Sequence, residues 1–248
     1  MAILRAEAIV LKTFDFRETS IIAGFFTKEY GKLKGILKGV RSDPKKFGST
    51  LEPFSVNEII FYQKRNSELH LISQCDIKDN FNNIRAGLKS VAFASYLVDL
   101  VEHLTPLEET NREVYGLVFY ALKQIDCGLD PEKILRIFLV KFLKLIGFKP
   151  RLDGCIMCDG NINSQAYFSV RHGGLLCQEC AAGKSDYTSV FKGTIASILH
   201  MEKNDWQEAL RLELNGKVKE ELNRIIQSFM EYHLQVRPKS AQVLEAIG

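Results

Sequence analysis

The sequence predicts an α+β protein: a five-stranded β-barrel over residues 1–80, then a helical domain over residues 81–248 with a cysteine-bearing insertion at about 150–186. Three observations predict it. Five short runs rich in β-branched and aromatic residues fill the first eighty positions, and apolar spacing near one residue in 3.6 takes over after them. Four of the six cysteines then fall in two C-x-x-C pairs between helical stretches.

The runs are AEAIVLKTF, TSIIAGFFT, GKLKGILKGV, SVNEIIFYQ and ELHLISQC. Turn residues separate them at Lys28-Glu29-Tyr30-Gly31, Ser42-Asp43-Pro44 and Lys64-Arg65-Asn66-Ser67. Five strands in so short a chain suit a small barrel, and the OB-fold is the barrel of that strand count that binds oligonucleotides. The N-terminus MAILRAEAIVLKTF carries Glu7 and no long apolar core, so it reads as the first strand and not as a signal peptide. A period-two reading of the third strand puts Lys32, Lys34, Ile36, Lys38 and Val40 on the outward side. Leu33, Gly35, Leu37, Gly39 and Arg41 take the other side, with Leu33 and Leu37 facing the core and the glycines allowing a tight bend.

The helical part opens with NIRAGLKSVAFASYLVDLVEHL, read as one helix ended by Thr105-Pro106. Thr110 to Glu113 spells a T-x-x-E capping box for a second helix through about Ile125. Asp130-Pro131 starts a third, which Gly147 stops. On that helix Lys133, Arg136, Lys141 and Lys144 fall within one polar arc, an exposed basic strip. TSVFKGTIASILHM, DWQEALRLEL and KVKEELNRIIQSFMEYHL continue the helical pattern, and the tail RPKSAQVLEAIG reads as a short, fraying end.

Cys155-x-x-Cys158 and Cys177-x-x-Cys180, 18 residues apart, match the spacing of a four-thiolate zinc site. Four sulfurs close a tetrahedral sphere and leave no position for substrate, so the expected ion is one structural zinc. An iron–sulfur cluster also takes four thiolates but suits this ribbon spacing less well. His172 is expected at the surface, and the isolated Cys75 and Cys127 as buried apolar groups.

Charge is uneven. The net +3 lies wholly in residues 1–80, which hold 13 basic and 10 acidic residues. Seven of the basic ones fall between Lys28 and Phe47, against Glu29 and Asp43 alone. A concentrated basic field is either a solvated face or the footprint of a polyanion partner. The common enzyme signatures are missing: no phosphate-binding G-x-x-x-x-G-K-[ST] loop, no H-E-x-x-H, no G-x-S-x-G, no kinase or deaminase set. No apolar run is long enough to cross a membrane as a helix. The reading is a cytoplasmic, non-enzymatic protein.

Two blocks carry a resemblance. Gly31, Lys38, Gly39 and Arg41 lead to Phe47, Gly48, Leu51, Pro53 and Phe54 in the first. Phe168, Ser169, Gly173, Gly174, Cys177 and Cys180 mark the second. With the basic barrel, helical middle and cysteine module, the chain resembles over essentially its whole length the RecO family of bacterial DNA-repair and recombination mediators. Asp43-Pro44 places an acid inside the basic loop. The resemblance implies an OB-fold that binds single- and double-stranded DNA, strand annealing without ATP, and help in loading recombinase onto strands coated by single-strand-binding protein. It implies as partners RecR, the acidic tail of single-strand-binding protein, and in some members RecF.

On that basis Lys32, Lys34, Lys38, Arg41, Lys45 and Lys46 are expected to contact phosphates. Phe14, Phe16, Tyr30 and Phe47, which flank loops, are the candidates for base stacking. The strip Lys133, Arg136, Lys141 and Lys144 is the candidate for the acidic tail. The alternative is an RNA-binding or scaffold protein with the same barrel and a structural zinc knuckle.

Overall fold

The computed structural model describes residues 2–40, 42, 51–64, 67–182, 187–236 and 238–247, with positions 239 and 245–247 described by backbone alone. They group into two compact units, one of residues 1–132 with 238–248 and one of residues 133–237.

In the first unit, β1 (Ala2–Phe16), β2 (Ser20–Thr27), β3 (Gly31–Leu37), β4 (Val56–Gln63) and β5 (Leu69–Asp79) close into a barrel of order β1-β2-β3-β5-β4. β1 pairs antiparallel with both β2 and β4, and β3 meets β5 in parallel. This is the five-stranded OB arrangement. Closure gives each described barrel strand a partner on both sides. The interior holds Val10, Phe25, Leu33, Leu37, Ile59, Phe61, Ile72 and Cys75.

Gly35 faces inward as its alternation requires. A Cβ there would lie 2.5 Å from Ile72 Cγ1 and 3.1 Å from Phe25 Cε2. Gly39 does not serve the same purpose: β3 has ended, and φ of 77° places it in the following turn. That turn resets the alternation, so Val40 joins the core instead of facing outward.

Helices α1 (Asn82–Arg85), α2 (Leu88–Leu104) and α3 (Arg112–Asp126) follow the barrel. The first two were expected as one; the break falls at Gly87, which is extended and caps α2. The cap of α3 is Asn111 and not Thr110: the Asn111 side chain accepts from Val114 N at 2.9 Å. Thr110 instead donates to the Glu29 carbonyl at 2.8 Å, tying the 105–111 segment to the barrel. In the same segment Leu107 bridges Lys32, and Gly31, with φ of 68°, would clash through any Cβ with the Glu109 backbone. Cys75 is buried as expected, but Cys127 is exposed, because it terminates α3 just before Gly128 turns at φ 86°.

Helix α4 (Pro131–Leu145) begins at the expected Pro and stops before Gly147, at φ 80°. In the second unit it buries Ile134, Ile137, Phe138, Phe142 and Leu143. The insertion forms a small antiparallel sheet, β6 (Ala166–Ser169), β7 (Gly174–Leu176) and β8 (Thr188–Val190), in the order β7-β6-β8, with the one-turn α5 (Gln178–Ala181) beside it. Thr188–Val190 was expected within a helix; its β-branched ends pair with β6 instead. Helices α6 (Lys192–Lys203), α7 (Trp206–Arg211) and α8 (Gly216–His233) complete this unit. The tail, expected as a short, fraying end, is helical. Helix α9 (Lys239–Ile247) returns to the first unit, where Ser240 donates to Asp99 of α2 at 2.6 Å. Among the described residues, no helix is long and apolar enough to cross a membrane.

Filling the space at Gly35 should overpack the barrel. We expect Gly35→Ala to lower unfolding free energy by about 1–3 kcal/mol in urea titration; an unchanged midpoint would show that Ile72 and Phe25 yield freely.

Candidate functional site

The outer face of β1, β2 and β3 is set by register. Lys12 lies opposite Gly24 and Gly24 opposite Lys34, so both lysines stand on one row with no side chain between them. The next row on the same face is Phe14, Ile22 and Ile36. Phe14 is 53% exposed at the hairpin tip, with Lys12 Nζ 5.2 Å from its ring centroid. Phe16 is half-buried with the Arg17 guanidinium 5.2 Å away. Lys38 is exposed just beyond β3. A face of this kind, two or three cations beside an exposed ring, can hold phosphate and stack a base.

Two expected residues do not join it. Lys32 is only 8% exposed, and its Nζ donates to the Glu102 carbonyl of α2. Burial pushes its ammonium below the usual lysine value, and the nearby Glu102 carboxylate opposes that shift. The alternation was right, but α2 and the segment after it cover this end of the row. Tyr30 packs against the core, edge-on to Phe61 at 5.6 Å. Arg41, Lys45, Lys46 and Phe47 lie outside the described residues. Lys12 and Arg17 were missed; a period-two reading of β1 puts Lys12, Phe14 and Phe16 on one side, but only register shows that Lys12 neighbours Lys34.

The helix α4 strip is not an open basic surface. Arg136 is 8% exposed. Lys133 pairs with Glu213 at 2.6 Å, Lys141 donates to the Asn204 carbonyl, and Lys144 lies 3.9 Å from Glu202. Burial pulls the Lys141 ammonium down. The helical period was correct, but segments 202–213 of the same unit fold over the arc and take up its charges.

The four paired cysteines do converge. The Sγ atoms of Cys155, Cys158, Cys177 and Cys180 lie within 4.8 Å of one another and could hold a metal ion. Cys158 and Cys177 are 3.9 Å apart. A tetrahedral thiolate site with metal–sulfur bonds of ~2.3 Å needs sulfurs about 3.8 Å apart. The first knuckle turns at Asp159, φ 57°, with Cys155 N donating to the Gly160 carbonyl at 2.9 Å. Gly160 lies close to the sulfurs: a Cβ there would sit 3.3 Å from Cys158 Sγ, a tight contact.

Thiol chemistry supports the same conclusion. Burial pushes Cys155 up, but N–H groups of Cys177, Cys158 and Met157 outweigh it and bring the thiol down to about 6. The hydrogen bond with Cys177, then burial and the other sulfurs, push Cys180 up to about 12. Without a cation the thiols are unlike, and a bound one would let all four ionise together. His172 stays outside, exposed and 2.9 Å from Ser169 Oγ.

Comparison with known proteins decides the family. Residues 1–81 match the family model "Recombination protein O N terminal", and residues 85–242 match "Recombination protein O C terminal". The chain belongs to the RecO family. It is 32% identical over 247 residues to the DNA repair protein RecO of Syntrophus aciditrophicus, covering 98% of this chain and 95% of that protein. RecO proteins of a Thermoanaerobacter strain and of Moorella thermoacetica are 30% and 29% identical, covering 97% and 99% of this chain and 96% and 92% of theirs. RecO membership places the chain in DNA repair and recombination.

Removing half the sulfurs should empty the metal centre. Cys155→Ser with Cys177→Ser is expected to reduce metal from about one ion per chain to near none by elemental analysis, with a lower melting temperature. Unchanged metal content would refute these ligands.

Proposed function

We propose that this RecO chain is a DNA-repair and recombination mediator that binds single- and double-stranded DNA on the outer face of its barrel. It anneals complementary strands without hydrolysing nucleotide and helps load recombinase onto strands covered by single-strand-binding protein. The observation that carries this is the row of Lys12 and Lys34 across Gly24, with exposed Phe14 and Lys38 on its open side. Family membership supports the DNA-repair setting.

The mechanism needs no bond-making step. Cations on the barrel neutralise phosphates and release condensed counterions. Two strands held on positive surface repel each other less, while their bases stay free to pair. Phe14 offers a stacking platform worth about 1–3 kcal/mol per base, which is indifferent to sequence. The cysteine cluster would hold zinc, whose tetrahedral preference and affinity for thiolate suit this donor set. Bound there, the ion supplies a cross-link and no reactive position. RecR, the acidic tail of single-strand-binding protein and RecF are the partners proposed from the family, in a cytoplasmic setting. Because Lys133 pairs with Glu213 and Lys141 donates to the Asn204 carbonyl, α4 is not proposed as the tail's site.

Charge reversal tests the face. Lys34→Glu with Lys38→Glu should weaken binding of unrelated single strands and duplexes by tenfold or more in fluorescence anisotropy. The salt slope should fall by roughly 1.4–1.8, two contacts' worth. Binding equal to the native chain would reject the face. Native protein should also accelerate pairing of complementary labelled strands with nucleotide omitted.

A further inference from the structure

Two lysines of the barrel face already have carboxylate partners, and the two pairs differ in kind. Lys34 meets Glu68 at 3.0 Å, with side chains 44% and 68% exposed. Water screens such a pair, and a displaced Glu68 is solvated where it stands. Lys12 meets Glu102 at 2.7 Å; the lysine is 39% exposed but the carboxylate only 13%. Glu102 reaches over β2 from α2 at the place where Gly24 leaves room. A Cβ on Gly24 would lie 3.3 Å from Lys12 Cγ and 3.4 Å from Glu102 Oε2. That Oε2 is buried without a hydrogen-bond partner among the described residues. The Glu102 main chain is fixed as well, because its carbonyl accepts from buried Lys32. If Lys12 left for a phosphate, a poorly hydrated carboxylate would remain without its nearest cation.

We propose that Glu102 competes with the phosphate backbone for Lys12, holding that lysine against the sheet and so limiting how many phosphates the barrel face engages. Lys34 exchanges its partner readily and Lys38 is exposed, whereas Lys12 is latched. The inference rests on the DNA-binding reading of that face. Its consequence suits an annealing protein, which must release the duplex it makes: the grip is set below what the cations of the face could deliver.

Glu102→Gln keeps the shape and removes the charge, leaving the main-chain carbonyl for Lys32. Binding of a fluorescein-labelled oligothymidine should tighten about fivefold at ~0.1 M salt, and the salt slope should steepen by about 0.7, one added contact. Adding Lys12→Gln to that variant should abolish the gain. Unchanged or weaker binding by a variant that melts like the native chain overturns the proposal, and so does a gain that survives Lys12→Gln. Should Glu102→Gln not fold, the native background decides: Lys12→Gln must weaken binding less than Lys34→Gln, and an equal or larger loss overturns the latch. If Lys34→Glu with Lys38→Glu leaves binding intact, the DNA face itself has failed, and the latch falls with it. If that pair weakens binding while Glu102→Gln changes nothing, only the latch has failed.

Discussion

Register across β1, β2 and β3 is the constraint on which both surfaces of the barrel depend. Pairing Lys12 with Gly24 and Gly24 with Lys34 fixes those lysines outward, and the same pairing fixes Phe25, Leu33, Gly35 and Leu37 inward. A slip of one residue would turn the lysines into the core and the leucines into water. The interior enforces the register sterically, because Ile72 occupies the volume that any side chain at position 35 would need. The basic face is therefore a by-product of core packing as much as of charge, and its geometry is as stiff as the barrel.

What distinguishes one lysine from another on this face is cover. Lys32, Lys34 and Lys38 share one phase of the same strand and its extension, yet the first is buried, the second half-exposed and the third exposed. The difference comes from α2 and the segment after it, which Thr110, Leu107 and Gly31 fasten to one end of the barrel. A buried ammonium needs a compensating oxygen, and Lys32 finds it in the Glu102 carbonyl. The same residue then has its carboxylate free to meet Lys12. One glutamate at the end of a helix thus serves the fold through its main chain and the surface electrostatics through its side chain.

The barrel and the helices were largely legible because their signals are local: alternation over β3, the Pro131 start and Gly147 stop of α4, the paired cysteines. The failures share a cause, which is that a neighbour distant in sequence decided the matter. Gly87, which splits one periodic helix in two, is the local exception; Asn111 took the cap that Thr110 was suited to, because Thr110 was bonded to Glu29. The α4 strip kept its period but lost its exposure to segments 202–213. Lys12 entered the candidate face only through cross-strand pairing, which no single-strand reading reveals. The tail helix was unreadable for the same reason: what anchors it is Asp99, about 140 positions earlier.

The cysteine module follows a different stability logic. Its strands are four, three and three residues long, and its own buried cluster consists of Cys155, Leu176 and Ala181 with partly buried neighbours. Leu152, Phe168, Leu175 and Val190 of the same segment are also buried, but the apolar cluster around the sulfurs is small, and modules of this size ordinarily take a cross-link or metal. Two of the three residues in that cluster, Cys155 and Ala181, are a ligand and a neighbour of one, so the core and the metal centre are nearly the same atoms. Substitution at these cysteines would therefore disturb fold and any bound ion together, whereas substitution on the barrel face would change charge and leave its packing alone. The two parts would thus use cations in opposite ways: the four sulfurs could hold one to make structure, whereas the proposed face displays others on side chains whose value would lie in exchanging partners.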